Sequence, residues 1–216
     1  MSISEFKQSQ SHGLFWDNEI RTNVFKLEKC INDTCKYDIP CDKNCFNCCE
    51  NVSIKVSGNN NIDCGDILRF YDIDKIKITT IILLRYKQVN DTKELFEIIE
   101  INYNEALHNI LFGTIEKSQI EDYVNYVKSI PKGRVSEDIK KSYLAHKEEL
   151  QKNNNMRINI SPKVDSKSQR RVQCSIPKIN ELLDQHPEFI ISRTNEPIIR
   201  GVTISQVIKS TRRLRY

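Results

Sequence analysis

The residues best suited to chemistry are an aspartate and a lysine on either side of a cysteine-rich segment. Asp38 precedes a hydrophobic residue and a proline, and Lys55 lies in the alternating run 52–57, Val-Ser-Ile-Lys-Val-Ser. A strand has a side-chain period of two, so the run predicts a strand with Lys55 and Ser53 on its polar face. An unpaired charge inside a sheet is costly, which favours an anionic partner for Lys55, such as Asp38 on a neighbouring strand.

This arrangement resembles the active-site signature of the PD-(D/E)XK nuclease superfamily: an Asp before a hydrophobic residue and proline, then residue-x-Lys on a later strand. The resemblance implies a metal-dependent phosphodiesterase, in which Asp38 binds Mg²⁺ and Lys55 orients the attacking water or stabilises the charged phosphorane. Hard Mg²⁺ prefers carboxylate and water oxygens, and an ammonium group neutralises charge that develops on phosphate oxygens. The implied fold is α+β, with a restriction-endonuclease-like core of a central mixed sheet flanked by helices.

The chain departs from the family at Ser53, which stands where the family usually has Glu or Asp. Because a serine supplies no carboxylate, another acid must complete the metal site. Glu19, beside the apolar stripe of a predicted helix over 14–25, is one candidate, and an acid on the first helix recurs in the superfamily. Asp66, just after Gly65, is an equal candidate. A simpler role for Lys55 is that of a strand charge that blocks aggregation at a sheet edge.

Further elements follow from hydrophobic periodicity and turn signals. The runs 78–86 and 95–101 predict two strands joined by the turn 90–93. Ser118 and Glu121 predict a capping box that opens a helix, and another helix is predicted to begin near Ser136. The polar triplet 153–155 precedes a strand at 157–160, so we place the internal boundary there. The nuclease core is predicted over 1–152 and a basic DNA-recognition region over 156–216, packed on the core as one domain.

The charge distribution favours nucleic acid as the partner. Residues 161–216 contain 11 Lys and Arg against 5 Asp and Glu, while the whole chain has a formal charge of only +4. Within a loop-like segment, 161–176, six side chains have the chemistry to contact phosphates or base edges. They are Lys163, Lys167, Gln169, Arg170, Arg171 and Gln173. The alternative is a mobile cationic loop that binds any polyanion.

Together with the small size, these features make the chain resemble a type II restriction endonuclease. The resemblance implies a homodimer that cleaves double-stranded DNA at a short palindromic sequence. One alternative is a structure-specific repair or resolvase nuclease of the same superfamily, which would recognise shape rather than bases.

The cysteines suggest a third function, that of a zinc-containing nucleic-acid-binding protein without catalysis. Six of the eight cysteines lie between residues 30 and 49. Cys45 and Cys48 have the spacing of a zinc knuckle, and Cys41 with Cys35 or Cys30 could complete a tetrahedral thiolate set. Free thiols in an insertion loop are the alternative.

Composition limits the remaining classes. The mean hydropathy is −0.53, and no apolar run approaches the ~20 residues of a membrane span. The N-terminal segment lacks the apolar region of a signal peptide, so we expect a cytoplasmic protein that does not bind membranes. Phosphate-loop, metalloprotease and serine-hydrolase motifs do not occur in the sequence.

Overall fold

The computed structural model describes residues 11–27, 36–165 and 169–209, with side chains from residue 15 onward. The chain forms two compact units that alternate along the sequence. The described residues of the first unit lie within Met1–Asn59, Ile76–Tyr103 and Gln185–Tyr216, and those of the second lie within Asn60–Lys75 and Asn104–Asp184. The boundary predicted at 153–155 therefore falls inside the second unit.

Six α-helices and ten strands make up the described fold. The helices are α1 (Ser11–Glu19), α2 (Ile67–Tyr71), α3 (Glu105–Phe112), α4 (Lys117–Ser129), α5 (Glu137–Asn153) and α6 (Ile179–Gln185). The strands are β1 (Glu50–Ser57), β2 (Asn61–Asp66), β3 (Ile78–Val89), β4 (Thr92–Asn102), β5 (Asn159–Val164), β6 (Arg170–Pro177), β7 (Ile190–Thr194), β8 (Ile198–Ile199), β9 (Val202–Thr203) and β10 (Val207–Lys209). A π-helical turn, Ile20–Val24, continues α1, and short 3₁₀ turns occur at Cys41–Lys43 and Pro187–Phe189.

The first unit is built on a mixed five-stranded sheet, so the predicted α+β class is confirmed. Its order is β1-β3-β4-β10, and β7 also pairs with β4. The pair β1–β3 is parallel, and the other pairs are antiparallel. The hairpin predicted from the two β-branched runs is present as β3–β4, with Asn90 at a positive φ of 52° in its turn.

The helix predicted over 14–25 is present as α1 and its π-helical continuation. Its apolar stripe packs on the sheet: Trp16, Ile20 and Val24 are 0–1% exposed and share one core cluster with strand residues. Trp16 Nε1 also donates to the carbonyl oxygen of Ser205 at 2.8 Å. This apolar contact fixes the helix against the sheet that carries Lys55.

A buried ion cluster braces the same sheet. The Arg200 guanidinium donates to both oxygens of Glu50, at 2.8 and 2.7 Å, and to Glu100 Oε2 at 3.0 and 2.9 Å. Burial raises the pKa of Glu50, but hydrogen bonds from Arg200, Thr80 and Asn44 outweigh burial and leave its pKa below the ordinary value. Both carboxylates therefore depend on one arginine.

We expect Arg200→Ala to lower the free energy of unfolding by about 3 kcal/mol at neutral pH, because it leaves two buried carboxylates without their cation. Chemical denaturation measures the loss. Arg193→Ala is the matched control, since Arg193 is 37% exposed and its partner Glu97 keeps a second bond from Arg85. Equal losses in the two variants would contradict the structural role of the cluster.

The second unit contains a three-stranded antiparallel sheet in the order β2-β6-β5, together with helices α2 to α6. Val172, Cys174 and Ile176 alternate on the buried face of β6. The prediction of a loop over 161–176 was wrong: β5 and β6 form a hairpin, because this alternation suits a half-buried strand.

The helices of the second unit begin close to the predicted positions. The predicted capping box at Ser118 and Glu121 was wrong by two residues, since Glu116 caps α4 and Gln119 Oε1 accepts from the Glu116 backbone at 2.9 Å. The helix predicted to begin near Ser136 is present as α5, and the Ser136 side chain caps it by accepting from the backbone N–H of Ile139. No helix in ranges 11–27, 36–165 and 169–209 has the length and apolarity needed to cross a membrane.

Candidate active site

Asp38 lies beside the edge of β1. The following residue, Ile39, forms an isolated antiparallel bridge with Val52, through bonds of 3.0 Å from Ile39 N and 2.8 Å from Val52 N. Just beyond the bridge, Asp38 Oδ2 accepts a hydrogen bond of 2.6 Å from the backbone N–H of Ile54. The Asp38 carboxylate is thereby fixed against the strand that carries Lys55.

Lys55 stands in the middle of β1, as predicted. Val52 and Ile54 are buried in the core, whereas Ser53 and Lys55 alternate with them and are partly exposed. In register, Ser53 and Lys55 lie opposite buried residues of β3. Ser53 contributes a hydroxyl group to this face and no carboxylate.

A further acid, Asp17, reaches the same place from α1. Arg21, one turn later in the π-helical segment, donates from Nη1 to the carbonyl oxygen of Asp38 at 2.7 Å. Side chains four residues apart lie on one side of a helix, so Asp17 and Arg21 face the same strand edge. π-Helical turns are rare and often occur at functional sites.

The pKa of the Asp17 carboxyl group is shifted by burial and by the charges of its neighbours. Burial raises the pKa of Asp17, the Asp38 carboxylate raises it further, and the cations of Arg21 and Lys55 lower it in part, leaving a pKa of about 6. Asp17 is thus close enough to Asp38 and Lys55 for their charges to act on it. This side chain has no local motif that distinguishes it in the sequence; the only signal is the Asp17–Arg21 spacing.

The carboxylates of Asp17 and Asp38 offer the oxygen ligands that a hard divalent cation prefers. Asp17 Oδ1 is buried and has no hydrogen-bond partner among the described residues, so it retains an unused oxygen ligand. Within those ranges, no three or more His, Cys, Asp or Glu side chains are grouped to hold a metal ion. Mg²⁺ is compatible with such a sparse set, because it usually binds through one or two carboxylates and completes its shell with water and phosphate oxygens.

Glu19, one of the two predicted acids, is held in another contact. Its Oε1 accepts from the backbone N–H of Ser205 at 3.0 Å and from the Ser205 hydroxyl at 2.8 Å. Its Oε2 is buried without a hydrogen-bond partner in the described part of the chain. Glu19 therefore ties α1 to the segment at 205, with one oxygen left over.

Asp66, the other predicted acid, has a structural role at the start of a helix. It is the N-cap of α2, and its Oδ1 accepts from the backbone N–H of Arg69 at 3.0 Å. Gly65 precedes it at φ 77°, where β2 has an irregularity in its pairing with β6. Asp66 belongs to the second unit, whereas Asp38 belongs to the first.

The predicted zinc ligands Cys41, Cys45 and Cys48 do not form a cluster among the described residues. Cys41 begins a 3₁₀ turn, and its backbone N–H donates to Asn51. Cys45 and Cys48 are exposed thiols, and the three do not form a metal-binding group within the described ranges. Cys30 and Cys35 lie outside the described residues.

The predicted DNA contacts divide into two sets. Lys163, Gln169 and Arg171 are exposed, and Gln173 is partly exposed on the same sheet. Arg170 instead donates its N–H groups to five backbone carbonyl oxygens, so its side chain is already occupied. Lys167 lies outside the described residues.

Comparison of the chain with protein-family models, curated proteins and solved structures found no match. The candidate site formed by Asp17, Asp38 and Lys55 is therefore the feature of this chain that indicates a function.

Proposed function

We propose that the protein is a Mg²⁺-dependent endonuclease of the restriction type that cleaves double-stranded DNA. The observation that supports it most is the meeting of α1 with the Asp38 segment at the edge of β1, where Arg21 bonds to Asp38 and Asp38 bonds to the strand of Lys55. Two hard oxygen ligands beside an ammonium group suit a phosphodiester, whose charge rises as water attacks.

The reaction is hydrolysis of one phosphodiester bond. Water adds to phosphorus and one ester P–O bond breaks, which leaves a phosphate monoester on one strand end and a hydroxyl group on the other. A Mg²⁺ ion held by Asp17 and Asp38 would supply Lewis acidity at the phosphate and favour ionisation of water.

Residues of the chain would neutralise charge on the phosphate and hold the Asp38 carboxylate in place. Lys55 places a cation on the partly exposed face of β1, where it can neutralise a phosphate oxygen. Arg21 holds the backbone of Asp38, and the Ile54 N–H fixes its Oδ2, so the carboxylate is oriented before substrate arrives. Such preorganisation lowers the barrier because no reorientation is needed during the reaction.

The mixed sheet and the leading helix are compatible with a restriction-endonuclease-like core, which we include in the proposal. We further propose a homodimer acting on a short palindromic sequence, because a twofold protein matches a twofold DNA site.

The test is incubation of the purified protein with Mg²⁺ and long unmethylated duplex DNA. We expect discrete fragments, and no cleavage when EDTA replaces Mg²⁺. The same preparation of Asp38→Asn controls for contaminating nucleases. A smear of fragments would indicate a nuclease of low sequence specificity instead of one of the restriction type. Intact DNA over a range of ionic strengths and divalent cations would overturn the proposal.

A further inference from the structure

Two buried thiols lie next to each other between β2 and β6 in the second unit. In the antiparallel register of these strands, Asp63 lies opposite Ser175. The next pair is Gly65 with Cys174, so the register skips Cys64. Cys64 is therefore the extra residue of a β-bulge, in which two residues of one strand oppose one residue of the other. The bulge places Cys64 beside Cys174.

The two cysteine side chains lie on the same, buried face of this sheet. Ile62 and Cys64 are buried on β2, and Val172, Cys174 and Ile176 are buried on β6. Cys64 is 9% exposed and Cys174 is 1% exposed. Hydrogen bonding to the Cys64 thiol, together with burial, raises the pKa of Cys174 well above its ordinary value. Such an effect requires the two sulfur atoms to be neighbours.

The strand geometry suits a covalent bond between these sulfur atoms. Cα atoms of opposed residues on antiparallel strands are about 4.5–5.5 Å apart, and a disulfide joins Cα atoms about 4.4–6.8 Å apart. β2 is an edge strand, since among the described strands it pairs with β6 alone. An edge strand interrupted by a bulge has fewer ladder hydrogen bonds than an interior strand, so local opening can admit a small oxidant.

We propose that Cys64 and Cys174 are a redox-active pair, which small disulfide compounds such as oxidised glutathione convert into a disulfide between β2 and β6. This inference is independent of the nuclease function. A pair of thiols in contact needs no large rearrangement to form the bond, whereas two cysteines that serve only as small apolar residues need not be neighbours.

The reaction is thiol–disulfide exchange in two steps. Cys64 reacts first, because it is the less buried thiol and Cys174 holds its proton more tightly. The Cys64 thiolate attacks one sulfur of the small disulfide, whose S–S bond breaks and releases a thiolate that takes up the proton of Cys64. Cys174 then gives up its proton and attacks the Cys64 sulfur, which expels the second small thiol. Two protein thiols are oxidised to one disulfide, and one small disulfide is reduced to two thiols.

The disulfide would join two separate segments of the second unit. Cys64 belongs to Asn60–Lys75 and Cys174 belongs to Asn104–Asp184. The bond closes the long loop from residue 64 to residue 174 and so restricts the unfolded chain. We therefore expect oxidation to raise the midpoint of thermal unfolding by about 5–10 °C.

The experiment incubates the full chain with oxidised glutathione at about pH 8.5, the ordinary pKa of a thiol. The remaining thiols are then blocked with N-ethylmaleimide in denaturant, and the protein is digested without reductant. Mass spectrometry is expected to find a cross-linked peptide that contains Cys64 and Cys174 and has two hydrogen atoms fewer than its separate halves. The rise in the unfolding midpoint should accompany this peptide, and dithiothreitol should reverse both.

Cys64→Ala and Cys174→Ala are the test variants, and Cys45→Ala is the matched control. Each test variant removes one of the two sulfur atoms and should lose both the cross-link and the rise in midpoint on oxidation. Cys45 is an exposed thiol of the first unit, so its variant should keep both. In the reduced, folded protein, Cys45 should react with N-ethylmaleimide several-fold faster than Cys64 or Cys174, because burial protects a thiol.

The peptide map of the unaltered protein decides the inference even where a variant fails to fold. Recovery of Cys64 and Cys174 as alkylated thiols, or as separate mixed disulfides with glutathione, would overturn the redox-active pair. Cross-links from either residue to cysteines of the segment 41–49 would also overturn it. A cross-linked peptide without a rise in the unfolding midpoint would support the pair and overturn the stabilising effect of its disulfide.

Discussion

Cleavage by Asp38→Asn is expected to be at least about 10³-fold slower than cleavage by the unaltered protein, because the variant replaces a charged metal ligand with a neutral amide. Asparagine retains an oxygen that can accept the 2.6 Å bond from Ile54 N, so the local fold should survive. Lys55→Met should cause a loss of similar size, since it removes the cation beside the phosphate while keeping the aliphatic stem. Single-turnover cleavage with saturating protein measures the chemical step.

The controls distinguish catalysis from folding and binding. Asp42→Asn changes an exposed acid in the neighbouring 3₁₀ turn and should cleave at the unaltered rate. Duplex binding in EDTA and thermal unfolding should remain close to those of the unaltered protein in both site variants. Undiminished cleavage by either Asp38→Asn or Lys55→Met would remove that residue from the proposed active site.

Local periodicity was sufficient to predict much of the first unit. The alternation at 52–57 placed Lys55 correctly on the partly exposed side of β1, because burial of Val52 and Ile54 determines which face the intervening residues occupy. The helical stripe beginning at Trp16 and the β3–β4 hairpin were likewise confirmed. The edge position of β1 also remains compatible with the simpler role of Lys55 as a protective charge.

Contacts between distant segments were not predictable from a single sequence. The approach of Asp17 to Asp38 depends on how α1 packs and on the bond from Arg21, neither of which leaves a local pattern. The anchoring of Arg170 likewise depends on carbonyl oxygens of residues 130–133, and carbonyl groups carry no sequence signature. The alternation of the two units along the chain is a third such property, since composition does not record which segments pack together.

Asp17→Asn is expected to stabilise the protein while abolishing most of its cleavage activity. The folded-state pKa of Asp17, about 6, lies above the ordinary value of 3.8, so the folded protein binds this proton more tightly than the unfolded chain. Stability is therefore greatest below the unfolded pKa and is lost as pH rises through the folded pKa. The variant lacks that loss, because its amide does not ionise.

Above pH 7, in EDTA, we expect Asp17→Asn to raise the free energy of unfolding by about 1–3 kcal/mol, at 1.36 kcal/mol per pKa unit and with some screening by solvent. The gain should disappear near pH 4. Chemical denaturation at both pH values measures it. Added Mg²⁺ should stabilise the unaltered protein and leave the variant nearly unchanged, because a ligand stabilises only the state that binds it.

Glu19→Gln is the comparison that separates the two acids on α1. If Asp17 is the second metal ligand, cleavage should fall by about 10²- to 10³-fold in Asp17→Asn, a loss that excess Mg²⁺ restores only in part. Glu19→Gln should keep most of its activity, because the Glu19 carboxylate already accepts two bonds from Ser205. The reverse result, with Glu19→Gln inactive and Asp17→Asn cleaving normally, would return the metal site to Glu19, one of the two acids that the sequence indicated.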